Sequence, residues 1–293
     1  MKLGVSDFYY DTDWELSAKD RYRIYKNAGF SCIDFNTART TVPFYTDPET
    51  VTQKQMANIR EMLEGEGLSV YQIHGPWCWP PVKDETPEGR ILRAEEMKRS
   101  MRLAKMLGAS CWVVHPIMPH RVKDLLEGNA QSTWELNVEF MGWLLEYAKE
   151  LDITICLENM PHRNFSMAKP EKILELIRLM DDPHFQMCLD TGHVATQEGL
   201  DLAQQVRMIG KHLKAMHVHD NNGEKDQHRH PGEGILNWES YADALRDIGF
   251  DGVLSLETNP AVGVSEAEFI LQARKLAGIA KKISLGAQAG NLE

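Results

Sequence analysis

The sequence predicts an α/β fold: one parallel, eight-stranded (β/α)8 barrel in a single domain. Two observations carry it. Eight short apolar, β-branched runs recur along the 293 residues, and longer segments of helical spacing separate them. An open, doubly wound sheet more often has about six strands, so eight strand-and-helix units point to a closed sheet.

The strands follow in order as "KLGVS" (2 to 6), "SCIDFN" (31 to 36), "LSVYQIHG" (68 to 75) and "SCWVVHP" (110 to 116). They continue as "ITICLENM" (153 to 160), "FQMCLDTGH" (185 to 193), "LKAMHVHD" (213 to 220) and "GVLSLETN" (252 to 259). Segments between them, such as "RILRAEEMKRSMRLAKML" and "WELNVEFMGWLLEYAKEL", are too long and too polar on one face to be strands. Most end at "AGF", "GEGL", "MLGAS" or "DIGFDG", where glycine stops the helix. No repeat or low-complexity linker divides the chain. The TIM-type barrel is expected over residues 1–284, with a small, polar, flexible tail at 285–293.

Composition narrows the classes of function. With 43% hydrophobic and 26% charged residues and no run of eighteen apolar ones, the chain reads as a soluble globular protein without a membrane partner. The opening "MKLGVSDFYYDTD" meets acidic residues before a signal-peptide core can form, so a cytoplasmic location is expected. The five cysteines include no CxxC and lie mostly in apolar runs, where a reduced thiol packs as a small hydrophobe. The fourteen methionines read as core filler. A net charge of −11 repels a polyanion, so no nucleic-acid partner is expected and the substrate is expected to be small.

In a parallel barrel the strand C-termini share one face, where catalytic groups gather. Here the third to eighth runs end at or near His74, His115, Glu158, Asp190 with His193, His217 and Glu257, all metal-ligand residue types. Side chains alternate along a strand, so Gln72, Val113, Cys156, Cys188, Ala215 and Ser255 are expected beneath them, with Leu157, Leu189 and Leu256 facing outward. Three carboxylates converging on one rim repel one another unless a cation neutralises them. Mixed carboxylate and imidazole donors suit Mn, Zn, Co or Fe better than Ca. His219 shares the inward face of His217 without an assigned role as a ligand, while His120, His162, His184 and His212 are expected to face solvent.

The motifs "HGP" (74 to 76), "HP" (115 to 116), "LENM" (157 to 160), "LDTGH" (189 to 193), "MHVHDN" (216 to 221), "DQHRHPGEG" (226 to 234) and "LET" (256 to 258) resemble, in order, the xylose isomerase-like barrel superfamily. The resemblance to its ketose 3-epimerases implies one divalent metal, Mn, Zn, Co or Mg, on Glu158, Asp190, His217 and Glu257. The type IV abasic-site endonucleases are a sister branch. Resemblance to them implies further metal ligands, or substrate-binding groups, at His74, His115, His193, Asp226 and His228.

The function expected first is a sugar or sugar-phosphate isomerase or epimerase working through an enediolate, with Glu158 and Glu257 as the catalytic pair. His193 and Arg229 are expected to steady substrate oxygens, and Trp77, Trp79 or Phe8 offers a stacking face. The alternatives are a polynuclear phosphodiesterase of the endonuclease kind and a related keto-polyol dehydratase; a non-catalytic sugar-binding barrel leaves the paired glutamates without a purpose. A homo-oligomer is left open.

Overall fold

A sheet wrapped by helices buries both faces of its strands, so such strands read as nearly continuous apolar runs. The computed structural model, which describes residues 1–10, 15–76, 86–118, 129–258, 260 and 263–286, has this arrangement. Its elements begin β1 (Lys2–Asp7), α1 (Ala18–Ala28), β2 (Cys32–Asn36), α2 (Pro43–Thr46), α3 (Glu49–Gly65), β3 (Ser69–His74), α4 (Pro87–Leu107) and β4 (Cys111–Val114). They continue with α5 (Asn129–Leu151), β5 (Thr154–Glu158), α6 (Pro170–Met180), β6 (Phe185–Asp190), α7 (Thr191–Thr196) and α8 (Leu202–Ile209). The last are β7 (Leu213–His217), α9 (Trp238–Asp247), β8 (Val253–Leu256) and α10 (Glu266–Leu285).

Local chemistry sets the helix ends. The Ser17 and Thr86 side chains accept the backbone N–H groups of Asp20 and Gly89 and start α1 and α4. Gly29 and Gly108 close the same helices in the left-handed region, at φ 116° and 76°.

All eight strands form one parallel sheet in the order β7-β6-β5-β4-β3-β2-β1-β8. Its last seam closes through a parallel bridge between Val218 and Leu256: Val218 N–H donates to Ser255 O at 2.9 Å, and Glu257 N–H to Val218 O at 3.1 Å. The expected alternation holds. Val113, Cys156, Cys188 and Ala215 pack with Cys111 as a separate inner cluster, while Leu157, Leu189 and Leu256 belong to the larger core beneath the helices. Cys32, Cys111, Cys156 and Cys188 are buried and free, as expected of packed thiols.

The sequence reading carries the third to eighth runs past the observed strand ends at His74, Val114, Glu158, Asp190, His217 and Leu256. The sixth run shows why: the Asp190 side chain accepts His193 N–H at 2.6 Å and caps α7, so the chain turns helical at once. A strand-end carboxylate also need not serve the mouth. Asp7 ends β1 but is buried under α1, where it accepts Arg21 Nη2 at 3.0 Å and Tyr22 OH at 2.9 Å. Among the described residues, no helix is long and apolar enough to cross a membrane.

Candidate metal centre

Four donors from neighbouring and opposed parts of the barrel meet at its C-terminal mouth. Glu158 ends β5, Asp190 ends β6, His217 ends β7 and Glu257 follows β8, and one ligand atom from each lies within 4.8 Å of all the others. His217 has two distinct sides. Its Nδ1 is 2.6 Å from Glu158 Oε1 and 3.6 Å from Glu257 Oε2, whereas its Nε2 is 3.0 Å from Asp34 Oδ2. That is the arrangement of an imidazole offered to a cation through one nitrogen and oriented by a carboxylate at the other. Asp34, on β2, is itself fixed by Gln72 Nε2 at 2.9 Å.

The charges in this cluster hold one another. Burial alone would push the Glu158 carboxyl up, but His217, His115 and His74 beside it hold it well below its ordinary value. Burial also raises Glu257, and the nearby Glu158 and Asp190 carboxylates reinforce the rise against His217 and His228. His74 Nε2 and His115 Nε2 lie 3.5 and 3.2 Å from Glu158 Oε2. The two histidines are thus brought to the other side of the same glutamate.

A second group lies alongside. Asp226 Oδ2 is 3.2 Å from both His193 Nε2 and His228 Nε2. His219, given no role as a ligand by the sequence reading, sits between the groups: it is buried, its Nε2 is 2.9 Å from Asp190 Oδ2 and 3.7 Å from Asp226 Oδ1, and its ring stacks on His228 at 4.0 Å. Asn159 braces the floor through Asp190: its Nδ2 donates to Asp190 O at 3.0 Å, and its Oδ1 accepts Asp190 N–H at 2.8 Å. Asp34, Asn159 and His219 are the residues that sequence reasoning missed. The "HVH" spacing was the available pointer to His219; nothing in the sequence singles out Asp34 or Asn159.

Both groups open into a cavity of about 770 Å³, whose walls include Phe8, Arg39, His162 and Arg229. Phe8 and Arg229, named by the sequence reading, both line this cavity. His162, expected to face solvent, is exposed but lines the cavity. His184 and His212 are partly covered instead, against Asp182 at 3.1 Å and Gln186 at 3.0 Å. Trp77, Trp79 and His120 lie outside the described residues.

The family model described as "Xylose isomerase-like TIM barrel" matches residues 22–274, most of the chain. The chain belongs to the xylose isomerase-like TIM barrel family. Among members and relatives it is similar to a D-psicose 3-epimerase of Ruminiclostridium cellulolyticum, 22% identical over 263 residues that cover 88% of this chain and 83% of that protein. It is also similar to a probable endonuclease 4 of Mycoplasmopsis pulmonis, 26% identical over 223 residues, covering 70% of this chain and 75% of that protein. Among solved structures, a D-psicose 3-epimerase determined in the presence of D-fructose superposes with TM-score 0.77 at 18% identity, covering 98% of this chain and all of that one. The IOLI protein with a bound zinc atom gives TM-score 0.72 at 18% identity and 97% coverage of both chains. These structural likenesses show the shared barrel fold.

Proposed function

We propose that the chain is a divalent-metal-dependent sugar isomerase or epimerase that moves a proton at a carbon next to a carbonyl. One observation carries the reading: the buried Glu158 and the partly buried Glu257, from separate parts of the barrel order, converge with Asp190 and His217, and both glutamates line a sugar-sized cavity. The similarity to D-psicose 3-epimerases supports the same class.

The donor set fits a divalent cation. Three carboxylates with one imidazole suit Mn, Zn, Co or Mg, and the Asp34–His217 contact supplies the outer orienting carboxylate. Glu158, Asp190, His217 and Glu257 would hold the ion, which when bound polarises a ketone and acidifies the adjacent C–H. The proton chemistry belongs to the chain. Glu158 and Glu257 approach from β5 and from beyond β8, so one carboxylate removes a proton and the other returns it to the opposite face of the flattened carbon. His193, held through Nδ1 on Asn159 O at 2.7 Å, and Arg229 receive substrate hydroxyls along the wall.

Incubation of a ketose series in heavy water tests this. Deuterium must enter the carbon beside the carbonyl, and the metal-loaded double variant Glu158→Gln with Glu257→Gln must lose turnover. Wild-type turnover in that loaded variant removes both residues from the chemistry. Elemental analysis of Asp190→Asn checks the metal assignment, since unchanged metal content would contradict it.

A second reading has its own geometry. His74 and His115 against Glu158, and His193 and His228 against Asp226, offer two further donor sets of the kind a polynuclear phosphodiesterase needs. A chain of net charge −11 is poorly suited to a phosphate backbone. Those histidines serve a sugar equally well as hydrogen-bonding groups. A keto-polyol dehydratase would begin with the same proton abstraction, and product analysis separates it.

A further inference from the structure

The Asp190–Asp226 side of the centre has donors enough for a second ion. Among the described residues, two groups there have donor atoms within 4.8 Å of one another: Asp190 with His193 and His219, and Asp226 with His219 and His228. His219 belongs to both. What its ring offers therefore decides whether an ion can settle on that side.

A histidine that ligates a metal gives one nitrogen to the ion and keeps a proton on the other, where an acceptor holds it. His74, His193 and His228 are prepared for this, since Nδ1 of each lies against a backbone carbonyl: Gly75 O at 2.7 Å, Asn159 O at 2.7 Å and Glu257 O at 3.0 Å. His219 is turned the other way. Its Nε2 lies 2.9 Å from Asp190 Oδ2, and a carboxylate accepts, so the proton is on Nε2. In either charge state the ring then offers Asp190 an N–H rather than a lone pair. The other nitrogen, Nδ1, is buried without a hydrogen-bond partner among the described residues, packed over Gly192, where a Cβ would lie 2.3 Å from it. Moving the proton there, to free Nε2 for an ion, would strand a buried donor.

The ring is also fixed in place. Its backbone N–H donates to Thr191 Oγ1 at 3.0 Å, the Thr191 hydroxyl donates to its carbonyl at 2.6 Å, and its face stacks on His228 with centroids 4.0 Å apart and planes 11° from parallel. Rings so close must lie face to face, since side by side they would overlap. Imidazole lone pairs lie in the ring plane, so one ion cannot sit in the plane of both, and His219 and His228 cannot ligate it together. Nε2 of His219 also stands 3.7 Å from Asp226 Oδ1 and 3.9 Å from Glu257 Oε2, which puts its N–H among three carboxylates.

We infer that His219, as a fixed N–H donor among these carboxylates, bars a second metal ion from the Asp190–Asp226 side of the centre. The inference rests on the metal-dependent reading and adds the residue that limits the ion count. It leaves His193, Asp226 and His228 to hold substrate oxygens. It also sets this centre apart from a polynuclear phosphodiesterase, which needs several ions around the reacting phosphate.

Equilibrium dialysis against Mn, with metal counted per chain, tests this on the wild type, His219→Ala, Asp226→Asn and the two changes combined. His219→Ala should take up one ion more than the wild type, at least about 10-fold tighter than any further ion the wild type accepts, and adding Asp226→Asn should abolish the gain. Equal uptake by wild type and His219→Ala overturns the inference, as does a gain that survives Asp226→Asn or a second wild-type ion that Asp226→Asn removes. A wild type that binds no ion counts against the metal-dependent reading, and the comparison with His219→Ala still decides the role of His219.

Nitrogen-15 NMR of the imidazoles reads the same ring in the wild type, so the inference stays testable if His219→Ala does not fold. Nε2 of His219 should keep its proton in both the metal-free and the zinc-treated protein. A proton on Nδ1 alone, or zinc bound at Nε2, overturns the inference. Far-ultraviolet circular dichroism and thermal melting establish which variants are folded.

Discussion

Gly192 gives His219 the space it occupies. A Cβ at this position would lie 2.0 Å from His219 Cε1, and His219 has no room to retreat because it is buried against Asp190. Gly192→Ala should therefore cost about 1–3 kcal/mol in urea unfolding and weaken metal binding; unchanged stability would mean the ring is not held there. His228 is likewise constrained, with a left-handed φ of 47° that non-glycine residues seldom adopt. Its Nδ1 at 3.0 Å from Glu257 O keeps it over the site. Burial would lower the pKa of His193 and of His228. Nearby carboxylates outweigh it, Asp190 and Asp226 raising His193 to about 9, and Asp226 and Glu257 raising His228 to about 10. Both folded values lie above the ordinary histidine value of about 6.5, so protonation favours the fold. In the metal-free protein that stabilisation is complete below about pH 6.5 and is lost as pH rises through about 9 to 10. Tm measured from pH 6 to 10 should show the decline, and His228→Gln should flatten it.

At the scale of elements, the segment between β7 and α9 explains the polar "DNNGEKDQHRHPGEG" stretch. Asp220 is buried and accepts Asn221 N–H at 2.9 Å, Gly232 N–H at 3.0 Å, Leu236 N–H at 3.3 Å and Trp238 Nε1 at 2.9 Å. One carboxylate therefore gathers the loop that presents Asp226, His228 and Arg229. Gly234 admits the close approach, since a Cβ there would lie 2.2 Å from both Asn221 O and Asp220 Oδ1. Asp220→Ala leaves buried donors without a partner and should destabilise the fold by about 2–4 kcal/mol, read in urea, with weaker metal retention. The loop's ligand types were legible in the sequence. The role of Asp220 was not, because its partners become neighbours only after the loop folds back on itself.

For the whole molecule, the acidic surface and the metal centre make separate predictions. With net charge −11, the chain should not incise abasic duplex DNA above a metal-free control, and efficient incision in moderate salt would promote the phosphodiesterase reading. Metal removal should lower Tm, because an ion that binds only the folded state stabilises it by mass action. Chelation followed by readdition of Mn or Zn should reverse the loss, whereas a Tm indifferent to both would argue against an ion among the Glu158, Asp190, His217 and Glu257 donors.

The sequence by itself determined the barrel and the donors at its mouth. Apolar periodicity specifies strands and helices locally, and alternation along a strand places Cys156 under Glu158 and Cys188 under Asp190 before any long-range contact is known. Only the tertiary structure decided what surrounds those donors. The approach of Asp34 on β2 to His217 on β7 depends on how the sheet closes, through β1, β8 and the Val218–Leu256 bridge. His219 is drawn into the cluster for a related reason. Strand periodicity fixes which way a side chain faces, but barrel closure and loop packing fix which distant side chain it meets.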